Sequence, residues 1–124
     1  MQGPEIDVFA EALVRLVRDR AIRNCRTRLT PDTRSPVGMH WVSAVSGGNL
    51  EQIGDVIIPD CIDEAIFCLL NAIDEGGLKL TFTGPDDQKV DLSVDGLGEL
   101  AGWYMGGENW RERFSQERIN NYLA

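Results

Sequence analysis

The chain has one histidine, three cysteines and two lysines, and it has no long apolar run. Each shortage excludes something. With His40 the sole imidazole, Ser/His or Cys/His catalysis must route through a residue between Met39 and Trp41, where a packed or solvent-facing ring is the ordinary state. Cys25, His40, Cys61 and Cys68 carry enough donors for a tetrahedral metal but none of the short paired spacings such sites use, so no metal and no cofactor is expected. Three cysteines cannot all pair, and Cys61 and Cys68 lie about 10 Å apart along one helix, so reduced thiols lining the core are expected. Apolar stretches are cut by Asp, Asn or Gly well short of the ~20 residues of a bilayer span, which argues against a membrane protein. Acid near the start, at Glu5 and Asp7, does not fit a secretory leader, and a cytoplasmic protein is expected.

What the chain has in excess is acid. Twelve Lys and Arg against 20 Asp and Glu give a net charge of -8, which speaks against direct binding of nucleic acid. The distribution is uneven: residues 1–34 carry +2, residues 35–110 carry -11, and residues 111–124 carry +1. An acidic middle between Arg-bearing ends either pairs with those ends inside the fold or faces a basic partner outside.

The 124 residues suit one domain. Ile6, Phe9, Leu13, Leu16 and Val17 recur at helical spacing over 5–19, with Arg20 and Asn24 standing where the stripe would continue. Ser35-Pro36 is an N-cap followed by proline, predicting a short helix that Gly38 works against. Asp55 to Pro59 has the pattern of a short edge strand or extended lead-in. Asp60 is then the expected cap of the strongest helix, which ends at Gly76-Gly77. Its stripe of Ile62, Ala65, Ile66, Leu69, Leu70 and Ile73, flanked by Cys61, Cys68 and Ala72, predicts a central buried helix. Residues 78–83 and 89–94 alternate with period 2 around a five-residue loop, a β-hairpin. Asp95 and Asn109 are the expected caps of two last helices, over Leu97 to Met105 and Trp110 to Leu123. The expected fold is therefore α+β: a helix-rich single domain with a central buried helix at about 60–75, one β-hairpin at about 78–94, and C-terminal helices.

Gly96-x-Gly98-x-x-Ala101 matches the letter of a dinucleotide fingerprint, but it follows a hairpin arm instead of opening a βαβ unit, and Asp95 would repel a pyrophosphate. Turn and cap glycines are the expectation. Cys61 at a helix start would be an activated thiol were it not surrounded by Asp60, Asp63 and Glu64. Two features point to binding. Phe67 shares the face of the central helix that carries Asp63, Asn71 and Asp74, opposite the core stripe. Five of nine aromatics fall in the last 22 residues, with Trp110 and Phe114 on one face of the final helix, Tyr122 on another, and Arg111, Arg113 and Arg118 on the same helix.

The function these features favour is a non-enzymatic acidic interaction module, of the inhibitor or immunity type, that masks a basic protein surface with Asp63, Phe67, Asn71, Asp74, Trp110, Arg111 and Tyr122. One alternative is a small enzyme or ligand-binding domain with a pocket between the hairpin and Gly96–Gly107, using Trp103, Tyr104 and His40. Another is a homodimer formed through the free face of the last helix.

Overall fold

A computed structural model describes residues 3–45 and 47–117, and most of them are helical. The chain enters α1 (Pro4–Ala12) with proline in the first turn, where its missing N–H costs nothing. It continues unbroken through a π-helical stretch, π1 (Leu13–Asp19), into α2 (Arg20–Arg28). The π stretch overturns part of the expected stripe. Bonds that reach five residues back widen the turn, so the buried line advances by fours through Ala10, Val14, Arg18 and Ile22. Leu16 and Val17, expected inside, are 56% and 48% exposed, while Arg18 and Asp19 are buried.

Ser35 caps α3 (Pro36–Ala44) as expected, its hydroxyl accepting from the Gly38 amide at 3.2 Å. Gly38 is required for packing: a Cβ there would lie 2.5 Å from Thr33 Oγ1 and 2.6 Å from the Arg28 carbonyl. The lead-in expected at 55–59 is helical instead. Asn49 caps α4 (Leu50–Gln52), which runs through π2 (Ile53–Ile57) directly into α5 (Ile58–Asp74). Pro59 is accommodated in the first turn of α5, directly after the π turn whose closing bond runs from the Ile58 amide to the Ile53 carbonyl. Asp60 therefore does not cap α5.

Pro59, Asp63, Ile66, Leu70 and Ile73 are the buried face of α5. Ala65, Leu69, Cys61 and Cys68, expected to line the core, lie on its open side. Gly76, in the left-handed region at φ 84°, closes the helix. The hairpin comes next, β1 (Thr81–Thr83) antiparallel to β2 (Lys89–Asp91), with Phe82 opposite Val90. Two strands are marginal alone. Here Val90 is fully buried and Phe82 meets Phe9 of α1 edge to face at 5.5 Å.

Asp91 caps α6 (Leu92–Asp95) through the Ser93 amide, and the Asp95 carboxylate accepts from the Asp91 amide instead of capping the next helix. After Leu97 and Gly98, both left-handed, come α7 (Leu100–Gly102) and π3 (Trp103–Gly107), which leaves helical geometry at Gly106. The last described helix, α8 (Trp110–Phe114), is shorter than expected because Ser115 turns extended. Asn109 precedes it in a left-handed conformation without a side-chain cap bond.

The core is one cluster drawn from α1, π1, α5, β2, α6, α7, π3 and α8, and the fold is the expected small α+β domain. Trp110 sits inside it, 6.1 Å from Phe9 and 6.2 Å from Trp103 between ring centres. Among the described residues, no helix is long and apolar enough to cross a membrane.

Candidate functional site

Two π-helical segments converge on one carboxylate. Asp63, from the buried face of α5, accepts from Arg18 Nε at 2.7 Å and from the Tyr104 hydroxyl on one oxygen. Its other oxygen accepts from Arg111 Nη1 at 2.8 Å and from Arg18 Nη2 at 3.4 Å. Arg18 also reaches Asp19 and the Ser115 hydroxyl, which donates to Asp19 at 2.7 Å. Two guanidinium groups and two carboxylates leave this cluster electrically neutral, so its members can be buried together.

The electrostatics come from burial and pairing. Desolvation alone would lower the Arg18 pKa, but the hydrogen bond and charge of Asp63, with Tyr104 and Asp19, outweigh it and raise the value. The Tyr104 phenol is raised well above its ordinary value by burial and then by the Asp63 charge and hydrogen bond, against the opposing Arg18 and Arg111. Its ring also carries the Arg111 guanidinium, 5.4 Å from the centroid. These groups are committed to one another, an arrangement suited to holding structure.

Asp63 was expected on an outward acidic face. It is 4% exposed, because α5 turns that edge toward π1 and π3. Trp110 is likewise interior, and Tyr122 lies outside the described residues. Phe67, Asn71, Asp74 and Arg111 are partly exposed and line one surface feature.

That feature is a groove beside the glycine-rich segment. One part, about 510 Å³, is walled by Phe67, Asn71 and Asp74 of α5 and by Gly98, Glu99, Ala101, Gly102, Trp103 and Gly107. A second part, about 480 Å³, shares Gly102 and Gly107 and ends at Met105, Asn109, Arg111 and Glu112. Asp74 builds the wall: its carboxylate accepts from the Leu100 and Ala101 amides, both at 3.0 Å, satisfying N–H groups that a helix start leaves orphaned. Arg111, held by Asp63 and by the Met105 carbonyl at 3.3 Å, closes the far end.

No protein-family model, curated protein or solved structure matches this chain. Its functional reading therefore stands on this geometry.

The remaining sequence candidates fall elsewhere. His40 is exposed on α3, and Cys61 and Cys68 are exposed on α5 rather than in the core. Among the described residues, no three His, Cys, Asp or Glu side chains are grouped as a metal would require. Gly96 and Gly98 serve a turn: an added Cβ at Gly96 would strike the Leu92 carbonyl at 2.5 Å, and Gly98 is left-handed at φ 70°. Sequence reasoning missed Arg18, Asp19 and Ser115. The available signal was the four-residue spacing from Ala10 through Val14 to Ile22, with Arg18 standing on it.

Proposed function

We propose that this protein is a non-enzymatic interaction module, of the inhibitor type, whose acid-rimmed groove between α5 and the Leu97–Gly107 segment seats a basic surface of a protein partner. The observation that carries this reading is the charge balance of the groove. Asp74, Glu99 and Glu112 line it against Arg111 alone, and Arg111 is already matched by Asp63. Glu99 is exposed and makes no side-chain hydrogen bond or salt bridge among the described residues. A negative concavity on a chain of charge -8 attracts basic partners and speeds their arrival. The ends of this glycine-rich segment carry two of the three left-handed non-glycine residues among the described residues, Leu97 at φ 54°, 61% exposed, and Asn109 at φ 56°. The exposed thiols of Cys61 and Cys68 suit a reducing compartment, and the cytoplasm is the proposed location.

The test is capture from a lysate at low salt with wild type and Glu99→Lys, followed by a high-salt wash. Retention of a basic protein by wild type, its release by salt and its loss on Glu99→Lys are the expected results. Capture indifferent to both salt and charge reversal would refute the proposal.

A further inference from the structure

We infer, resting on that reading, that the groove is a receptor for an arginine side chain of the partner, and that Gly102 is kept as glycine to leave room for it.

Gly102 is the one glycine of the segment whose own fold gives no reason for it. Its φ of -64° and ψ of -41° are helical values that any residue adopts. A Cβ built on it would meet nothing within 4 Å. By contrast Gly98 and Gly106 occupy the positive φ region, and Gly96 is crowded by the Leu92 carbonyl and the Leu100 side chain. Glycine inside a helix is less stable than alanine, so a glycine with neither backbone nor packing need is a stability sacrifice that a ligand explains. Gly102 lines both parts of the groove, and a side chain there would occupy open space beside them.

The lining selects the occupant. Half-buried Phe67 offers aromatic surface, while exposed Glu99 offers a free carboxylate on the same wall, beside Asp74. A guanidinium is planar, stacks on aromatic faces and bonds carboxylates through several N–H groups at once, whereas an ammonium is a strongly hydrated point charge. Charge complementarity selects a cation, and the aromatic wall selects arginine over lysine.

The probe is N-acetyl-arginine methylamide, titrated into the isotopically labelled protein with amide and indole shifts as the readout, beside the lysine and glutamate analogues. The expected result is shifts centred on the Gly98, Gly102 and Gly107 amides and the Trp103 indole, with the Trp41 indole as an unmoved reference. Binding should be several-fold weaker for the lysine analogue and absent for glutamate. Gly102→Leu, which alters no charge, should weaken binding at least tenfold. Gly102→Ala guards against a folding defect: it should raise Tm by about 2–4 °C and weaken binding measurably. Equal affinity for arginine and lysine overturns the guanidinium assignment. Unchanged binding by Gly102→Leu, or shifts spread evenly over the hairpin acids Asp86, Asp87 and Asp91, overturns the groove. The two levels separate in lysate capture. Salt-sensitive capture that survives Gly102→Leu but not Glu99→Lys refutes the groove and leaves the acidic module standing. Probe binding by a wild type that captures nothing salt-sensitive refutes the module instead.

Discussion

Asp63→Ala is the sharpest perturbation of the interior. It strips Arg18, which is 0% exposed, of its Nε acceptor, and removes the acceptor of the Tyr104 hydroxyl and of Arg111 Nη1. Removing one partner of a buried ion pair costs about 3–5 kcal/mol, because the surviving charge stays desolvated. A chain of this length has roughly 6–19 kcal/mol of stability in total, so the loss is a large share of it. With an unfolding entropy of about 2.1 cal/mol/K per residue, the same loss lowers Tm by about 12–19 °C. Glu64→Ala is the matched control, being the next residue on α5 and exposed; it should change stability by no more than about 0.5 kcal/mol. Urea and thermal unfolding followed by circular dichroism measure both variants. A double variant, Arg18→Met with Asp63→Leu, should cost less than the two single changes added together, since the pair is then replaced by apolar contact. If Asp63→Ala proved as mild as Glu64→Ala, the buried cluster would not exist as described and the reasoning would fail.

Three further outcomes are expected of the same structure. Gly38→Ala should destabilise by about 1–3 kcal/mol despite alanine's better helix propensity, since the added Cβ meets the Arg28 carbonyl at 2.6 Å; an unchanged or raised urea midpoint would contradict this. Ser35→Ala should cost about 1 kcal/mol through loss of the α3 cap, and a midpoint shift indistinguishable from zero would deny the cap its role. The raised Tyr104 pKa means that the unfolded chain releases this proton first, so its contribution is fully present below about pH 10 and is lost as pH rises beyond that. Tyr104→Phe should lower stability by about 1–3 kcal/mol at neutral pH and flatten the alkaline decline relative to wild type; parallel declines in the two proteins would refute the assignment.

The legible parts of the fold are those governed by local chemistry. Ser35 capping a helix that starts at Pro36, the period-2 hairpin around residues 84–88, and the glycine stop at Gly76 depend on neighbours in sequence alone. The illegible parts depend on distant contacts or on departures from 3.6 residues per turn. An unbroken α-helix would carry Leu16 and Val17 into the core, and π1 moves Arg18 and Asp19 into their place. Asp95 has the right position to cap the next helix, yet that task falls to Asp74, 26 residues upstream of Leu100. For the site, helical spacing is enough to group Phe67 with Asn71 and Asp74, and all three line the groove together with Arg111. The burial of Asp63 and Trp110 is invisible without knowing which edge of α5 meets π3.

Asp63 turns inward instead of facing a partner, and half-exposed Asp74 lines the groove while bonding the glycine-rich segment; together they explain how that segment supports a groove at all. Residues 96–107 contain five glycines, and glycine loses more freedom on ordering than any other residue. Such a chain needs external anchors to hold one shape. Asp74 fixes the segment's entry through the Leu100 and Ala101 amides, and Asp63 fixes its middle through Tyr104. Asp63 also holds Arg111, whose guanidinium returns to the Met105 carbonyl near the exit. Anchoring from two carboxylates on the long helix α5 allows the outward surface to remain glycine-lined and open, with Glu99, Asn71 and Phe67 left for the proposed partner. Changes at Asp63 and Asp74 should therefore act on stability and groove shape together. Changes at Glu99 should act on the proposed binding alone, and that separation divides the acids that anchor the segment from one that only lines the groove.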